Sequence, residues 1–248
     1  MWDKCIFCKE DSSNSKSIEH IIPESLGNTE HILPKGVVCD KCNNYFARKI
    51  EKKVLEYSSF QLDRFHMSIP SKKGRVPSAF GLMTTSSSFS PITLYKDKDM
   101  RMSFEIREDV EIPKKGSMII PALSYLQNKY SEGEISDDNL LTRFIAKIAF
   151  ESLVYKSIVS IENIYDDTFD GIRHFIRYGD ARGHIDFPMH MKTAYPADKV
   201  FYDGEIKEEY QVLHEFEFII EKGSIYFSIV IFGIEYKIYL GVVEEQRP

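Results

Sequence analysis

Apolar residues recur every three or four positions directly after the last cysteine of the chain. In the stretch "CNNYFARKIEKKVLEY" they are Phe46, Ile50, Val54 and Tyr57. This spacing places them on one face of a helix, so the stretch predicts an amphipathic helix that packs on a core. The same helix carries four basic residues elsewhere around its axis: Arg48, Lys49, Lys52 and Lys53.

The strongest helical pattern lies further along the chain, in "SDDNLLTRFIAKIAFESLVYKSI". Its apolar positions predict a broad buried face: Leu140, Leu141, Phe144, Ile145 and Ile148. Ser136 and Asp137 are candidates for the residue that caps the first turn of this helix. A second helix is predicted in "DTFDGIRHFIRYG".

Strand patterns fill most of the remaining sequence. "MTTSSSFSPITLYKDKD" and "MRMSFEIREDVEI" predict strands joined by a charged turn, and the strand-rich last fifty residues are broken at Lys222-Gly223 and at Gly233. We therefore expect an α+β protein with antiparallel strands towards its C-terminal end. The expected division is a first domain over 1–58, a basic connector over 59–80 and an accessory α+β domain over 81–248, whose role its sequence does not reveal.

The stretch "SIEHIIPESLGN" predicts a short buried strand that holds an acid and a histidine side by side. Glu19 and His20 stand between isoleucines, where two adjacent ionisable groups are costly. A histidine accepts a proton near neutral pH and a carboxylate holds a hard divalent cation, so the pair indicates chemistry. Neighbours on a regular strand face opposite sides, so the two share a pocket only if the strand ends or bulges there. Pro23 close behind favours such an ending.

All four cysteines lie in the first 42 residues, as "CIFC" and "CDKC". Two C-x-x-C pairs, Cys5 with Cys8 and Cys39 with Cys42, favour a four-thiolate zinc site over disulfides in a reducing compartment. Free buried thiols are the alternative. The beginning "MWDKCIFCKE" does not resemble a signal peptide and no apolar run reaches membrane-spanning length, so a cytoplasmic protein without a membrane partner is expected.

The net charge of −6 argues at first against a nucleic-acid partner. The charge is unevenly distributed, however: residues 1–75 hold 13 Lys and Arg against 10 Asp and Glu, and residues 48–75 hold 8 against 3. Binding to phosphates depends on the local surface and not on the average over the chain. The N-terminal third is therefore the part expected to face a polyanion.

The combination of paired knuckles, "EHIIP" and "CDKCN" resembles the HNH endonucleases, the ββα-metal nucleases, in the subgroup that two zinc knuckles brace. The resemblance covers residues 5 to about 55 and implies a treble-clef-like ββα-metal unit. It implies that His20 is the general base, and that Glu19 and Asn43 hold a catalytic Mg²⁺ or Mn²⁺. It also implies structural Zn²⁺ on the four cysteines.

The sequence departs from the family pattern at two positions. The family more often has Asp or His where Glu19 stands, and its middle Asn or His falls at Pro34. Proline keeps a carbonyl that can orient the imidazole of His20. The task of fixing the loop then passes to another side chain, and Asn28 and His31 are the candidates.

Basic residues elsewhere have a plain alternative interpretation. The set Arg48, Lys49, Lys52 and Lys53 either contacts DNA phosphates or forms a solvated helix face. "KKGR" at 72–75 is better explained as a solvated turn. The segment "RHFIRYGDARGH" contains Arg173, His174, Arg177, Arg182 and His184, for which pairing with local acids is favoured over a binding pocket.

The expected function is that of a metal-dependent HNH endonuclease that hydrolyses DNA phosphodiester bonds. By family association its setting is restriction or antiphage defence, with a companion protein or self-association through residues 81–248 as a further contact. The alternative is a zinc-dependent module that binds nucleic acid or protein and cleaves nothing.

Overall fold

A computed structural model describes residues 2–84, 89–106, 118–121, 133–134, 139–179 and 187–242. These residues form a mixed α+β structure, as expected from the sequence. The helices are α1 Asp40–Phe46, α2 Lys52–Leu55, α3 Ser58–His66, α4 Asn139–Tyr155 and α5 Asp170–Tyr178. A π-helical turn, Ala47–Glu51, joins α1 to α2, and single 3₁₀ turns cover Glu24–Leu26, Asn163–Tyr165 and Asp167–Phe169.

Thirteen strands are seen in the described part of the chain. The first seven are β1 Glu19–His20, β2 Ile32–Leu33, β3 Ala79–Thr84, β4 Phe89–Lys96, β5 Met102–Ile106, β6 Met118–Pro121 and β7 Gly133–Glu134. The others are β8 Met189–Thr193, β9 Val200–Asp203, β10 Glu208–Gln211, β11 His214–Glu221, β12 Ser224–Ile231 and β13 Ile234–Val242.

Every described strand pair is antiparallel. The strands form the pairs β1-β2 and β10-β9, a four-stranded sheet of order β5-β4-β3-β6 and a five-stranded sheet of order β11-β12-β13-β8-β7. The predicted breaks are the hairpin turns of the larger sheet. Both residues of each turn have positive φ, 49° and 77° at Lys222-Gly223 and 51° and 81° at Phe232-Gly233, which suits the right-handed twist of the flanking strands.

The chain divides into two compact units: one of Met1–Pro23, Asn28–Val54 and Tyr130–Pro248, the other of Glu24–Gly27 and Leu55–Lys129. This grouping differs from the expected boundaries at 58 and 80, because residues 1–23 and 28–54 pack with the C-terminal half. The expected boundaries remain predictions about folding units.

In the first unit the N-terminal ββα segment packs on α4. This helix contacts β2, the π-helical turn, α5 and β13. The Phe7 ring lies 4.4 Å from the Phe46 ring and 5.4 Å from the Phe150 ring of α4. Of the apolar face predicted for α4, Leu141, Phe144, Ile145 and Ile148 are buried and Leu140 is half-buried. The cap candidates Ser136 and Asp137 lie outside the described residues.

In the second unit α3 packs on the four-stranded sheet. The core joins Leu62 and Phe65 of α3 to buried residues of β3 and β4: Ala79, Met83, Ile92 and Leu94. The predicted connector over 59–80 therefore begins with most of a helix. The apolar residues Phe60, Leu62 and Phe65 drive this burial, although the segment is basic overall.

The structure near the second knuckle departs from the predicted pattern in its helix. The second strand of the N-terminal hairpin is Ile32–Leu33, and "GVVC" lies in the turn before α1. The predicted amphipathic helix is interrupted by the π-helical turn Ala47–Glu51, in which Lys52 N–H bonds to the carbonyl of Ala47. Such turns are rare and occur mostly inside α-helices at functional sites.

Candidate functional site: a cysteine cluster beside a Glu-His strand

The four cysteines converge on one point. Their Sγ atoms all lie within 4.8 Å of one another, and the Sγ atoms of Cys8 and Cys39 are 3.7 Å apart. Zinc–sulfur bonds of about 2.3 Å in a tetrahedron place the sulfurs about 3.8 Å apart, so the cluster fits structural zinc. Four ionised thiolates repel one another, and a dication in their midst removes that cost.

Backbone amides also point at these sulfurs. The Cys39 N–H lies 3.3 Å from Cys5 Sγ, and the Cys42 N–H lies 3.4 Å from Cys39 Sγ at the start of α1. A hydrogen bond with Cys42 is the main cause that lowers the pKa of Cys5 to about 5, whereas burial raises the pKa of Cys8 to about 11. Amide donors of this kind stabilise thiolates, as zinc ligation requires.

The Glu-His strand has its two ionisable residues on opposite faces. Glu19 pairs with buried Leu33 and is 6% exposed, whereas half-buried His20 pairs with the exposed Ile32. This follows from the pleat of the strand. The strand ends at His20, as the position of Pro23 suggested, and a pocket shared by the two side chains stays a prediction.

The Glu19 carboxylate meets a fully buried lysine from α4. Lys147 Nζ lies 2.6 Å from Glu19 Oε1, 2.9 Å from Glu51 Oε1 and 3.0 Å from Glu151 Oε2. Burial disfavours charge on this ammonium, but the three carboxylates outweigh burial and raise the pKa of Lys147 well above its usual value. Burial raises the pKa of Glu151 well above its ordinary value, and the Lys147 ammonium opposes this shift.

This buried ion cluster was not found from the sequence. The available signal was Lys147 and Glu151, spaced four residues apart on the apolar face of the predicted α4 helix. Charged residues are almost never fully buried unless they are paired. Burial of this pair requires partners, but the spacing does not show that they come from β1 and the π-helical turn.

Asn43 lies on α1 against the beginning of β1. Its Nδ2 donates a hydrogen bond of 3.2 Å to the carbonyl of Ile18, the residue before Glu19. Asp40, one turn earlier, accepts hydrogen bonds from the backbone N–H groups of Lys16 and Ser17. The second knuckle thus fixes the segment that leads into β1, as expected of a helix start that is tied to the strand.

Asn28 fixes the loop between the two strands. It is fully buried; its Nδ2 donates to the carbonyls of Ile22 and His31 at 2.7 and 3.1 Å, and its Oδ1 accepts from the N–H groups of Glu30 and His31 at 3.0 and 2.9 Å. The carbonyl of Pro34 accepts a hydrogen bond of 3.2 Å from Val37 N–H and closes a turn. Of the two candidates, Asn28 is therefore the residue whose side chain binds the loop backbone.

The basic set of the helix is accessible to solvent. Arg48 and Lys49 in the π-helical turn and Lys52 and Lys53 in α2 are all exposed. This exposure is compatible with phosphate binding and with a solvated face alike. Among the other basic candidates, Arg173 pairs with Asp170 at 2.6 Å, as expected, while Arg182 and His184 lie outside the described residues.

Within the described ranges no helix is both long and apolar enough to cross a bilayer.

Comparison with known families identifies the N-terminal segment. Residues 5–57 match the HNH endonuclease family, so the resemblance inferred from the two knuckles and the Glu-His strand is confirmed. The match covers about a fifth of the chain and supports nuclease activity in general. A search of curated proteins and a search of solved structures each find no match.

Proposed function

We propose that this protein is a metal-dependent endonuclease that hydrolyses DNA phosphodiester bonds, with His20 as the general base. The observation that carries the proposal is the ββα arrangement of the family-matched segment. In it, a cysteine cluster fixes α1 against β1, and β1 presents His20 on its more open face. A half-buried imidazole can reach water and substrate, as a general base must.

The chemistry requires a divalent cation as well as a base. A bound Mg²⁺ or Mn²⁺ neutralises charge on the scissile phosphate and on the leaving 3′ oxygen. Asn43 supplies an amide group beside β1, and amide and carboxylate oxygens are the ligands that these hard cations prefer. We assign Asn43 and Glu19 as the protein ligands of this cation.

The assignment of Glu19 depends on its second carboxylate oxygen. Oε1 is engaged by Lys147 at 2.6 Å, so metal binding by Glu19 is monodentate or requires the side chain to leave the lysine. In this proposal His20 takes the proton of the attacking water. Lys147 fixes the orientation of Glu19.

DNA binding is assigned to the exposed basic set Arg48, Lys49, Lys52 and Lys53. These residues follow Asn43 along the same helical segment, so a duplex bound there passes close to the site. Contacts to phosphates dominate affinity and make it dependent on salt. A role in restriction or antiphage defence, and a partner for residues 81–248, are extensions of the proposal by family association.

Cleavage of a labelled DNA duplex by the zinc-loaded protein tests the proposal. We expect cleavage with added Mg²⁺ or Mn²⁺ and none without them, and a raised metal requirement for Asn43→Ala. The exposed neighbour variant Asn44→Ala is the matched control and keeps the wild-type requirement. Cleavage without divalent cation, or an equal requirement for both variants, contradicts the metal assignment.

The second candidate function is a zinc-braced binding module without catalysis. The observation that favours it is the burial of Glu19 against Lys147, because an ion pair already satisfies the carboxylate that the nuclease needs. Salt-sensitive binding of the duplex with no cleavage under any of these metal conditions would support the module and overturn the nuclease.

A further inference from the structure

Helix α5 lies beyond the family-matched segment, yet one of its faces is directed at both zinc knuckles. Arg173 and Arg177 are four residues apart and therefore lie on the same side of the helix. Arg173 contacts the first knuckle, which contains Cys5 and Cys8. Arg177 contacts the second, which contains Cys39 and Cys42.

Arg177 donates directly to a cysteine sulfur. Its Nη1 lies 3.3 Å from Cys42 Sγ, and its guanidinium stacks 4.8 Å from the centre of the Tyr45 ring on α1. The backbone carbonyl of Arg177 accepts hydrogen bonds from the Tyr45 hydroxyl and, at 2.6 Å, from Arg143 Nη2. The arginine is thus held at its backbone and at its side chain.

Arg173 fixes the backbone between the first two cysteines. It is 5% exposed, and its Nε donates a hydrogen bond of 2.7 Å to the carbonyl of Ile6. Nη1 pairs with Asp170 at 2.6 Å and Nη2 donates to the carbonyl of Ile164. A buried guanidinium whose donors are used in this way is stable, because its charge and its N–H groups are compensated.

The residues before α5 contact the same knuckle independently. Lys9, directly after Cys8, lies 2.8 Å from carboxylate oxygens of both Asp167 and Asp170. The Tyr165 hydroxyl donates to the carbonyl of Lys4, directly before Cys5. The first knuckle is therefore bound at both ends by a segment more than 150 residues away in sequence.

The negative charge of a four-thiolate zinc site explains why the Arg177 guanidinium lies beside Cys42. Four thiolates around Zn²⁺ leave two surplus negative charges in a largely buried cluster. A guanidinium that donates to one sulfur offsets part of this charge and holds that sulfur in place for the metal.

We propose that Arg177, together with Arg173, forms the outer part of the zinc site, so that α5 controls how firmly the protein retains zinc. The zinc site is then not complete within residues 5–57. The proposal concerns zinc retention alone and does not depend on whether the protein cleaves DNA.

The first test is the rate at which the full-length, zinc-loaded chain releases zinc to an excess of a chromogenic chelator. We expect Arg177→Met to release zinc at least tenfold faster than wild type, since loss of a group that supports a metal ligand typically costs 10- to 100-fold in affinity. Arg177→Lys, which keeps the charge, falls between them. Lys41→Met is the matched control, because it removes an exposed positive charge next to Cys42, and stays within about twofold of wild type.

The second test separates a bond to sulfur from a general structural role. In the Co²⁺-substituted chain, the thiolate-to-metal charge-transfer band reports the electron density on sulfur. Loss of the Arg177 donor raises that density, so Arg177→Met shifts the band to lower energy while Lys41→Met does not. If Arg177→Met does not fold, the zinc-release rate and the charge-transfer band are measured on Arg177→Lys instead.

The outcomes are distinct. Faster zinc release with a shifted band supports the proposal. Faster release with an unshifted band overturns it, because Arg177 then acts only on the fold. Unchanged release, or a full-length chain that binds no zinc, overturns it as well.

Discussion

At the scale of single residues, the Glu-His loop depends on one buried amide. Asn28 uses both its donor and its acceptor groups on the backbone of residues 22–31 and is fully buried. The sequence suggested this residue, beside His31, only because the family's middle side chain is missing at Pro34. The structure gives the reason for choosing Asn28: its bonds reach both ends of the loop.

Replacing Asn28 by alanine should lower the free energy of unfolding by about 2–3 kcal/mol, because buried backbone groups lose their partners. Urea denaturation of the zinc-loaded chain measures this change. Asn44→Ala is the control, since Asn44 is exposed, and should stay within about 0.5 kcal/mol of wild type. An equal decrease in the free energy of unfolding in both variants would show that the hydrogen bonds of Asn28 do not stabilise the loop.

His31 should make stability depend on pH. Its ring lies against the rings of Tyr155, His214 and Phe216, and burial lowers its pKa below the ordinary value of 6.5; nearby Lys156 lowers it further and Glu30 opposes this. The unfolded chain then binds the proton more readily than the folded chain. The contribution of neutral His31 to the free energy of unfolding is fully present above about pH 6.5. It is lost as the pH drops through the folded-state pKa of His31.

The measurement is the urea midpoint of wild type and His31→Gln at pH 5 and pH 7.5. We expect the variant to lose less stability on acidification than the wild type does. An equal loss in both proteins would exclude His31 as a source of the pH dependence.

At the scale of elements, α4 connects the C-terminal half of the chain to the Glu-His strand through Lys147. Periodicity predicted the helix and its buried face correctly, since both depend on local spacing. It did not predict the ion cluster, because Glu19, Glu51 and Lys147 meet only through tertiary packing. The π-helical turn was missed because the spacing of four between Phe46, Ile50 and Val54 fits an ordinary helix as well as a widened turn.

Lys147→Met should destabilise the chain by about 3–5 kcal/mol, because it leaves buried carboxylates without their cation. Glu151→Gln should cost less stability than Lys147→Met, because it leaves Glu19 and Glu51 paired with the Lys147 ammonium. Thermal or urea unfolding of the zinc-loaded chain measures both. The control is Lys156→Met, just beyond the same helix. A larger loss for Glu151→Gln than for Lys147→Met would contradict the proposed charges.

At the scale of the whole molecule, the family-matched segment and residues 130–248 belong to one compact unit. The sequence predicted the α+β class, the antiparallel C-terminal strands and the N-terminal nuclease segment, all of which have local signatures. It did not predict this grouping, because partners such as Arg173 with Ile6 are far apart in sequence. A basic stretch also suggested a connector where α3 packs on a sheet.

A fragment of residues 1–57 should therefore retain zinc less firmly than the full chain. It keeps all four cysteines but lacks Lys147, Arg173 and Arg177. Chelator competition compares the two proteins directly. Zinc release at the same rate from both would show that the segment is an independent unit, as the boundary predicted at residue 58 implies.

The central claim is that His20 is the general base of a DNA-cleaving site. Its most direct measurement is the rate of supercoiled-plasmid cleavage with Mn²⁺ at low salt, comparing wild type, His20→Ala and the exposed-histidine control His190→Ala at equal zinc content. We expect cleavage by wild type and by the control, and at least a 100-fold lower rate for His20→Ala. Cleavage by His20→Ala at the wild-type rate, or by none of the three proteins, would contradict it.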